Sequence, residues 1–365
     1  MIDDIHILGL GGVGVLVAHA LAGIPDSPRV NLLLHRPRDH HSGLLAITRN
    51  GVTEHQTNFT IEEYRDGCWH QGLSYGSVQP QHMESPKRAS DESPIRFLIV
   101  AVKAHHTVDS IRLVKHRLTK YSTILFLQNG SGALDELDVE LFPNPADRPC
   151  YMSGIVTHCI HQKDFLSAVH VATGSITLGP SPRIPSAPGA ISFQLATDSA
   201  KLAAILNRSK LLNVSLQDSQ GLLRQQLIKL ATNSIYNPLT SLLECSVNDL
   251  ITLNNSQIQN ISDALICEIS DIIKALPLSD VITKEDMETV FSSSKLKRII
   301  HEIGLRAGGH TTSMLQDMRN GVKTEILYLN GYFLRWALKL GIECPVNAMI
   351  IRMVLEKENG TTKNI

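Results

Sequence analysis

The sequence predicts an α/β protein: a doubly wound, largely parallel sheet in the N-terminal part, followed by a mostly helical C-terminal domain. Three observations predict it. A strand, a glycine-rich turn, a helix and a second strand fill the first 34 residues; strand-like and helix-like segments alternate up to about residue 180; and from about residue 198 onward the apolar periodicity is mostly 3.6. At 365 residues the chain is long enough for two domains of ordinary size.

Residues 5–8 are a short, mainly apolar run that meets the turn, residues 13–21 carry apolar side chains at helical spacing, and residues 30–34 read as a buried strand. Together they make a βαβ unit. Residues 65–94, rich in Gly, Ser, Gln and Pro, interrupt the pattern and are expected to form a surface insertion. A strand follows at 97–102, a helix at 107–118, a strand at 123–127, a helix start after Asn129, and strand-like runs at 151–157, 168–171 and 175–178. Prolines and glycines from Gly179 to Gly189 break regular structure, which divides the chain into expected domains at 1–190 and 191–365. The helix expected over 326–340 is apolar enough for a core or an interface, so monomer and homodimer stay open.

Composition excludes several classes of function. The 34 Lys and Arg nearly cancel the 35 Asp and Glu, leaving no basic field for nucleic acid or an anionic membrane surface. Six cysteines, at 68, 150, 159, 245, 267 and 344, form no C-x-x-C pair and read as reduced thiols. No apolar run reaches the roughly 18 to 20 residues of a membrane span. The acidic start, Met1-Ile2-Asp3-Asp4, predicts neither signal nor transit peptide, hence a cytoplasmic protein. The 16 histidines include adjacent pairs such as His40-His41 and His105-His106, which do not converge on one face, so no metal is expected. His158 and His170 are expected to be structural.

Gly9-Leu10-Gly11-Gly12-Val13-Gly14 fits G-x-G-x-x-G directly after a strand and at the opening of a helix. There, backbone N–H groups and the helix N-terminus can receive a pyrophosphate, which predicts a Rossmann-type dinucleotide site. An NAD enzyme usually places Asp or Glu after the second strand; here the strand ends Leu34-His35-Arg36-Pro37-Arg38-Asp39. Arg36 first and Arg38 second suit a 2′-phosphate, predicting NADP, while Asp39 keeps NAD open.

Farther on, Lys229, Asn233 and Asn237 recur every four residues and share one helical face, drifting by about 40° per step. Burying a lysine and two amides without partners is costly, so they meet each other and water, or a polar ligand. This helix, with the rest of the chain, resembles the ketopantoate reductase family. The resemblance is carried, in order, by the Gly9 to Gly14 turn, Val102-Lys103-Ala104, Gln128-Asn129-Gly130-Ser131-Gly132, residues 229–240, Thr312-Ser313-Met314-Leu315-Gln316-Asp317, and Thr324-Glu325-Ile326 followed by Leu329-Asn330-Gly331.

The resemblance implies reduction of ketopantoate (2-dehydropantoate) to pantoate with NADPH, in a cleft between a Rossmann domain and a helical domain. It implies Lys229 as general acid, protonating the oxygen as hydride reaches C2, a role that suits an ammonium. Asn233 and Asn237 match positions that bind the substrate's hydroxyl and carboxylate region, and Ser313 the carboxylate-binding place, although a serine before an apolar run is also a common helix N-cap. Glu325 matches a glutamate that contacts the cofactor and orders the active site; its bland alternative is a surface pair with Lys323 or Arg319. Asp317, eight residues earlier on the same expected helical stretch, reads equally as a cap or salt bridge. Lys103 and Asn129, just past two strands, belong to the nicotinamide side, and Cys159 to a backbone contact with the cofactor.

Two departures stand out. Leu227 replaces an aromatic residue common two positions before the lysine, and Val247 stands where a substrate-side asparagine is expected, with Asn248 beside it. Three readings follow: the reductase, acting on ketopantoate or another 2-oxo acid; a non-catalytic NADP-binding sensor or scaffold; and a dehydrogenase of phosphorylated substrates, for which one lysine on the helical face is too few.

Overall fold

The computed structural model describes residues 3–35, 43–71, 93–182, 197–278 and 281–362. Its strands are β1 (Asp4–Leu8), β2 (Arg29–Leu34), β3 (Leu45–Arg49), β4 (Val52–Gln56), β5 (Thr60–Arg65), β6 (Cys68–Gln71), β7 (Phe97–Val100), β8 (Thr123–Phe126), β9 (Cys150–Val156), β10 (Cys159–Asp164), β11 (Ser167–Ala172), β12 (Ile176–Pro180) and β13 (Val214–Leu216). The helices are α1 (Gly12–Ala22), α2 (Thr107–Arg112), α3 (Ala133–Glu140), α4 (Thr197–Asn207), α5 (Ser219–Leu243), α6 (Val247–Thr252), α7 (Ser256–Ala275), α8 (Lys284–Val290), α9 (Ser293–Ala307), α10 (Ser313–Arg319), α11 (Asn330–Leu340) and α12 (Pro345–Thr362).

The chain divides into two compact units. Of the described residues, the first holds those up to Gln128, Leu134–Ser181 and those from 197 to Leu222, and the second Asn129–Ala133, Pro182 and those from Leu223 onward. The expected division at 190/191 falls short of this, because β13 pairs in parallel with β12 and so keeps α4 and β13 with the sheet.

In the first unit a nine-stranded sheet runs β13-β12-β9-β8-β7-β1-β2-β5-β6. The predicted doubly wound centre is present: β5, β2, β1, β7, β8 and β9 are mutually parallel, and the order reverses beside β1. Leu8 pairs with Leu33 and with Val100, and Val100 with Phe126, so four carboxyl ends line one edge. That edge is where open α/β sheets hold ligands.

A second sheet, β10-β11-β3-β4, was not legible in the sequence. It packs on α1, which also lies against β1 and β2. Residues 14–22 of that helix are consequently all buried, as a helix apolar on every side must be. The expected insertion also starts later than residue 65: β6 pairs with β5, and Trp69 is buried with its indole N–H donating to Leu113 O at 2.9 Å.

The helix expected over 107–118 stops at Arg112, because the chain turns Arg117 into the core. There its guanidinium donates to Glu62 Oε2 at 2.6 Å and to Ser93 O at 3.0 Å, while His6 Nε2 lies 3.3 Å from Glu62 Oε1. Such a buried pair needs these further hydrogen bonds to offset desolvation.

The second unit is helical, with one core built from α5, α7, α9, α11 and α12. Lys357 of α12 donates to Ser241 O at 3.0 Å and Leu242 O at 3.3 Å, satisfying carbonyls that the end of α5 leaves open. The helix expected over 326–340 is interrupted: a 3₁₀ turn spans Ile326–Tyr328, Leu329 leaves the helical region, and α11 begins at Asn330. Asp317 and Glu325 likewise do not share a helix, since α10 ends at Arg319 and Gly321 turns the chain at φ +63°. No described helix is long and apolar enough to cross a membrane.

Candidate active site

The glycine turn separates its residues by what each does. Gly9 has φ +100°, and a Cβ there would lie 2.5 Å from Val102 N. Gly14 would place a Cβ 1.9 Å from Gly9 O, so strand end and helix start meet only without one. Gly12 is covered by the backbone of β10, with Ile160 O 3.2 Å from an added Cβ. Packing therefore accounts for these three. Gly11 differs: among the described residues nothing lies within 4 Å of its added Cβ, and as N-cap of α1 it offers no side-chain cap to the free N–H groups. Its bare backbone suits a close-lying anion, so the turn fits a dinucleotide pyrophosphate.

Leu10 and Val13 pack their side chains partly against the core. Gln162 of β10, outside the residues predicted from sequence, donates from Nε2 to Leu10 O at 3.1 Å and fixes the loop. No motif marks it; only the second sheet brings it there. Lys103 stands three residues past β7, beside the segment that Gly9 admits. Arg36 and Arg38 lie outside the described residues. Cys159 opens β10 half-buried, and burial raises its thiol pKa, which argues against a reactive thiolate.

His158 and His170 are structural, as expected. Their rings meet at 3.1 Å between Nδ1 and Nε2, His158 Nδ1 also accepts from Gly174 N–H at 3.0 Å, and His158 Nε2 donates to Leu212 O at 3.0 Å. Desolvation lowers both pKa values, keeping the rings neutral. Among the described residues, no group of three or more His, Cys, Asp or Glu could hold a metal ion.

The second unit brings the other predicted residues together on and around α5. Lys229 retains some accessible surface yet is enclosed densely enough that desolvation lowers its pKa to about 8, against the opposing charge of Glu325. Asn233 is half-buried and Asn237 buried on the same side of the helix. Glu325 is itself buried, and its segment is anchored because Thr324 N–H and Oγ1 donate to Glu358 Oε2 at 3.0 and 2.7 Å. The loop bearing Asn129 joins this neighbourhood: Ser131 N–H donates to Tyr328 O, and Tyr328 N–H to Glu325 O, both at 2.9 Å.

Ser313 is not a helix N-cap. Thr312 caps α10, its Oγ1 accepting from Leu315 N–H at 3.4 Å, and Ser313 is the exposed first residue of the helix, its hydroxyl not spent on the cap. Val247 is buried in the helical core at the first position of α6, whereas Asn248 is exposed and its N–H donates to Gly308 O at 3.0 Å. An ammonium held near neutral pH beside a carboxylate, with amides on the same helix face, can orient a small acid and give it a proton.

Two family models match the chain: "Ketopantoate reductase PanE/ApbA" over residues 5–183 and "Ketopantoate reductase PanE/ApbA C terminal" over residues 222–358. A probable 2-dehydropantoate 2-reductase of Schizosaccharomyces pombe is 25% identical over 350 residues, 95% of this chain and 94% of the relative. The 2-dehydropantoate 2-reductase of Escherichia coli O157:H7 is 30% identical, covering 72% and 74% of the two chains. A ketoisovalerate reductase of Beauveria bassiana is 24% identical, covering 94% and 80%. In fold, the chain is similar to D-mandelate dehydrogenase solved with NADH and anilino(oxo)acetate, with a TM-score of 0.71, 18% identity, and 99% and 100% of the chains covered.

Proposed function

The chain belongs to the ketopantoate reductase PanE/ApbA family of NAD(P)-dependent oxidoreductases, and from that premise we propose that it reduces a small branched 2-oxo acid with NADPH, 2-dehydropantoate foremost. One observation carries the reading: Lys229, with its pKa at about 8 through burial opposed by Glu325, shares a helix face with two asparagine amides.

The reduced nicotinamide supplies the hydride. The Lys229 ammonium polarises the C2 carbonyl, stabilises negative charge growing on its oxygen and passes a proton to that oxygen. Glu325 keeps the ammonium protonated near neutral pH despite its enclosure. Asn233 and Asn237 bind and orient the acid, and the hydroxyl of Ser313, which does not cap α10, meets its carboxylate. Gly11 receives the pyrophosphate, with Gly9, Leu10, Gly12, Val13 and Gly14 shaping the turn. Lys103, Asn129 and the backbone at Cys159 line the cofactor, and Glu325 adds a contact to it. Arg36, two positions past β2 where an NAD enzyme would carry an acid, supports NADPH.

Val247 favours a second substrate within the same mechanism. The asparagine that the resemblance places there is absent and Val247 packs into the helical core instead, so ketoisovalerate, which lacks the hydroxyl of 2-dehydropantoate, fits this departure; a relative carries that substrate in its name. The test is NADPH oxidation with each acid, with NADH in parallel and Lys229→Ala as control. Turnover on 2-dehydropantoate, abolished by the substitution, supports the first reading; preference for ketoisovalerate moves the substrate. Tight NADPH binding without turnover on any 2-oxo acid overturns the enzyme reading in favour of a sensor or scaffold.

A further inference from the structure

Pro238 lies inside α5 and has no N–H, so the hydrogen bond that the helix would make to the carbonyl four residues back, on Ser234, cannot form. Ser234 is 0% exposed, which bars water as an easy substitute. The missing donor comes from another helix. Asn330, the first residue of α11 and also 0% exposed, donates from Nδ2 to Ser234 O at 2.9 Å.

The same Nδ2 donates to Asn347 Oδ1 at 2.9 Å, and Asn347 Nδ2 donates in turn to Glu268 Oε2 at 2.8 Å. Glu268 also accepts the N–H groups of Val346 and Asn347 at 2.7 and 2.9 Å. A carboxylate only accepts, so it fixes which end of Asn347 faces it. Asn347 therefore turns its oxygen to Asn330, and flipping Asn330 would set an oxygen against two other oxygens. The relay has one orientation, from α7 through α12 and α11 to the backbone of α5.

Its end point lies between the two substrate-side amides. Asn233 immediately precedes Ser234, and Asn237 immediately precedes Pro238. The proline ring crowds the Ser234 carbonyl, and the direction in which that carbonyl yields sets the bend between Asn233 and Asn237. We propose that Asn330 is a positioning residue: by supplying the hydrogen bond that Pro238 removes, it fixes the local geometry of α5 and thereby the spacing of Asn233 and Asn237. This rests on the reading that these amides bind the 2-oxo acid.

The experiment compares Asn330→Ala, Pro238→Ala and the double variant with the parent, measuring KM for the 2-oxo acid, the NADPH dissociation constant and the urea midpoint. Asn330→Ala is expected to raise KM about tenfold with NADPH affinity unchanged. Pro238→Ala restores an N–H for Ser234 O, so adding Asn330→Ala to it costs much less, in KM and in midpoint, than in the parent. An unchanged KM in Asn330→Ala, or an equal penalty in both backgrounds, overturns the proposal. Should Asn330→Ala not fold, Glu268→Gln releases the far end of the relay and is expected to raise KM in the same direction by a smaller factor; no rise counts against it. If the parent turns over no 2-oxo acid, the functional reading fails separately. The urea coupling then still decides whether Asn330 replaces the missing helix bond, and its absence sinks the inference.

Discussion

Thr240 of α5 and Thr312 at the start of α10 are joined through their hydroxyls at 2.8 Å. Because Thr240 Oγ1 already donates to Tyr236 O at 2.7 Å, it accepts here, and Thr312 is the donor. Thr312 Oγ1 accepts in addition from Leu315 N–H, so a single hydroxyl caps α10 and fastens it to the lysine-bearing helix.

Thr312→Ala should therefore lower stability by about 1–2 kcal/mol, from the lost cap and the lost bond. Ser313→Ala, at an exposed position that caps nothing, should change it by less than about 0.5 kcal/mol while raising KM for the acid. Urea denaturation of the two variants, set beside their kinetics, separates the neighbours.

Lys229 titrates at about 8, so turnover should be level below that pH and fall as pH rises through it. Lys229→Ala should lose at least about a hundredfold in kcat. The folded pKa lies below the unfolded value of 10.5, so between these two the unfolded chain holds the extra proton and stability rises with pH, by at most about 3 kcal/mol. Lys229→Met should remove that slope from denaturation curves recorded across the alkaline range.

Gly11→Ala and Gly14→Ala should fail differently. Among the described residues Gly11 has open space for a methyl group, so its variant should melt like the parent and bind NADPH at least about tenfold more weakly. At Gly14 the methyl would lie 1.9 Å from Gly9 O, and loss of folded protein is expected. Calorimetric melting with and without NADPH distinguishes the two cases.

Arg117→Met should cost about 3–5 kcal/mol, because it leaves Glu62 buried with half its partners. For Glu62, burial acts most strongly and upward, yet hydrogen bonds from His6 and Arg117 with their charges bring the net pKa below the usual carboxylate value. Its stabilisation is thus present above the unfolded pKa and lost as pH falls through the lower folded one. Glu62→Gln should flatten the acid limb of stability against pH.

How much of this was legible in the sequence varied with the range of the interaction. The βαβ unit was, because Gly9 to Gly14 is a local signal, and so was the face formed by Lys229, Asn233 and Asn237, because helical spacing is local too. The second sheet was not: β3 and β11 pair across more than a hundred residues, and nothing near Thr48 points to Val169. The capping of α10 goes to Thr312 although Ser313-Met314-Leu315-Gln316 has the S-x-x-Q capping pattern, and Thr312 is the residue that Thr240, far away in sequence, holds by a hydrogen bond. Asn330 stood out within a motif, but its task shows only beside Pro238.

The packing of β10 on Gly12 also sets an order of events during synthesis. The glycine turn emerges first, whereas the strands that enclose it are encoded up to residue 172. At about 5–20 residues per second, the turn waits roughly 10–30 s for its cover. Until then a nascent chain carries the glycine-rich turn without the Gln162 hydrogen bond that fixes its loop. Ribosome-bound chains stopped before residue 159 should consequently fail to retain NADPH, and those extended well past 172 should begin to.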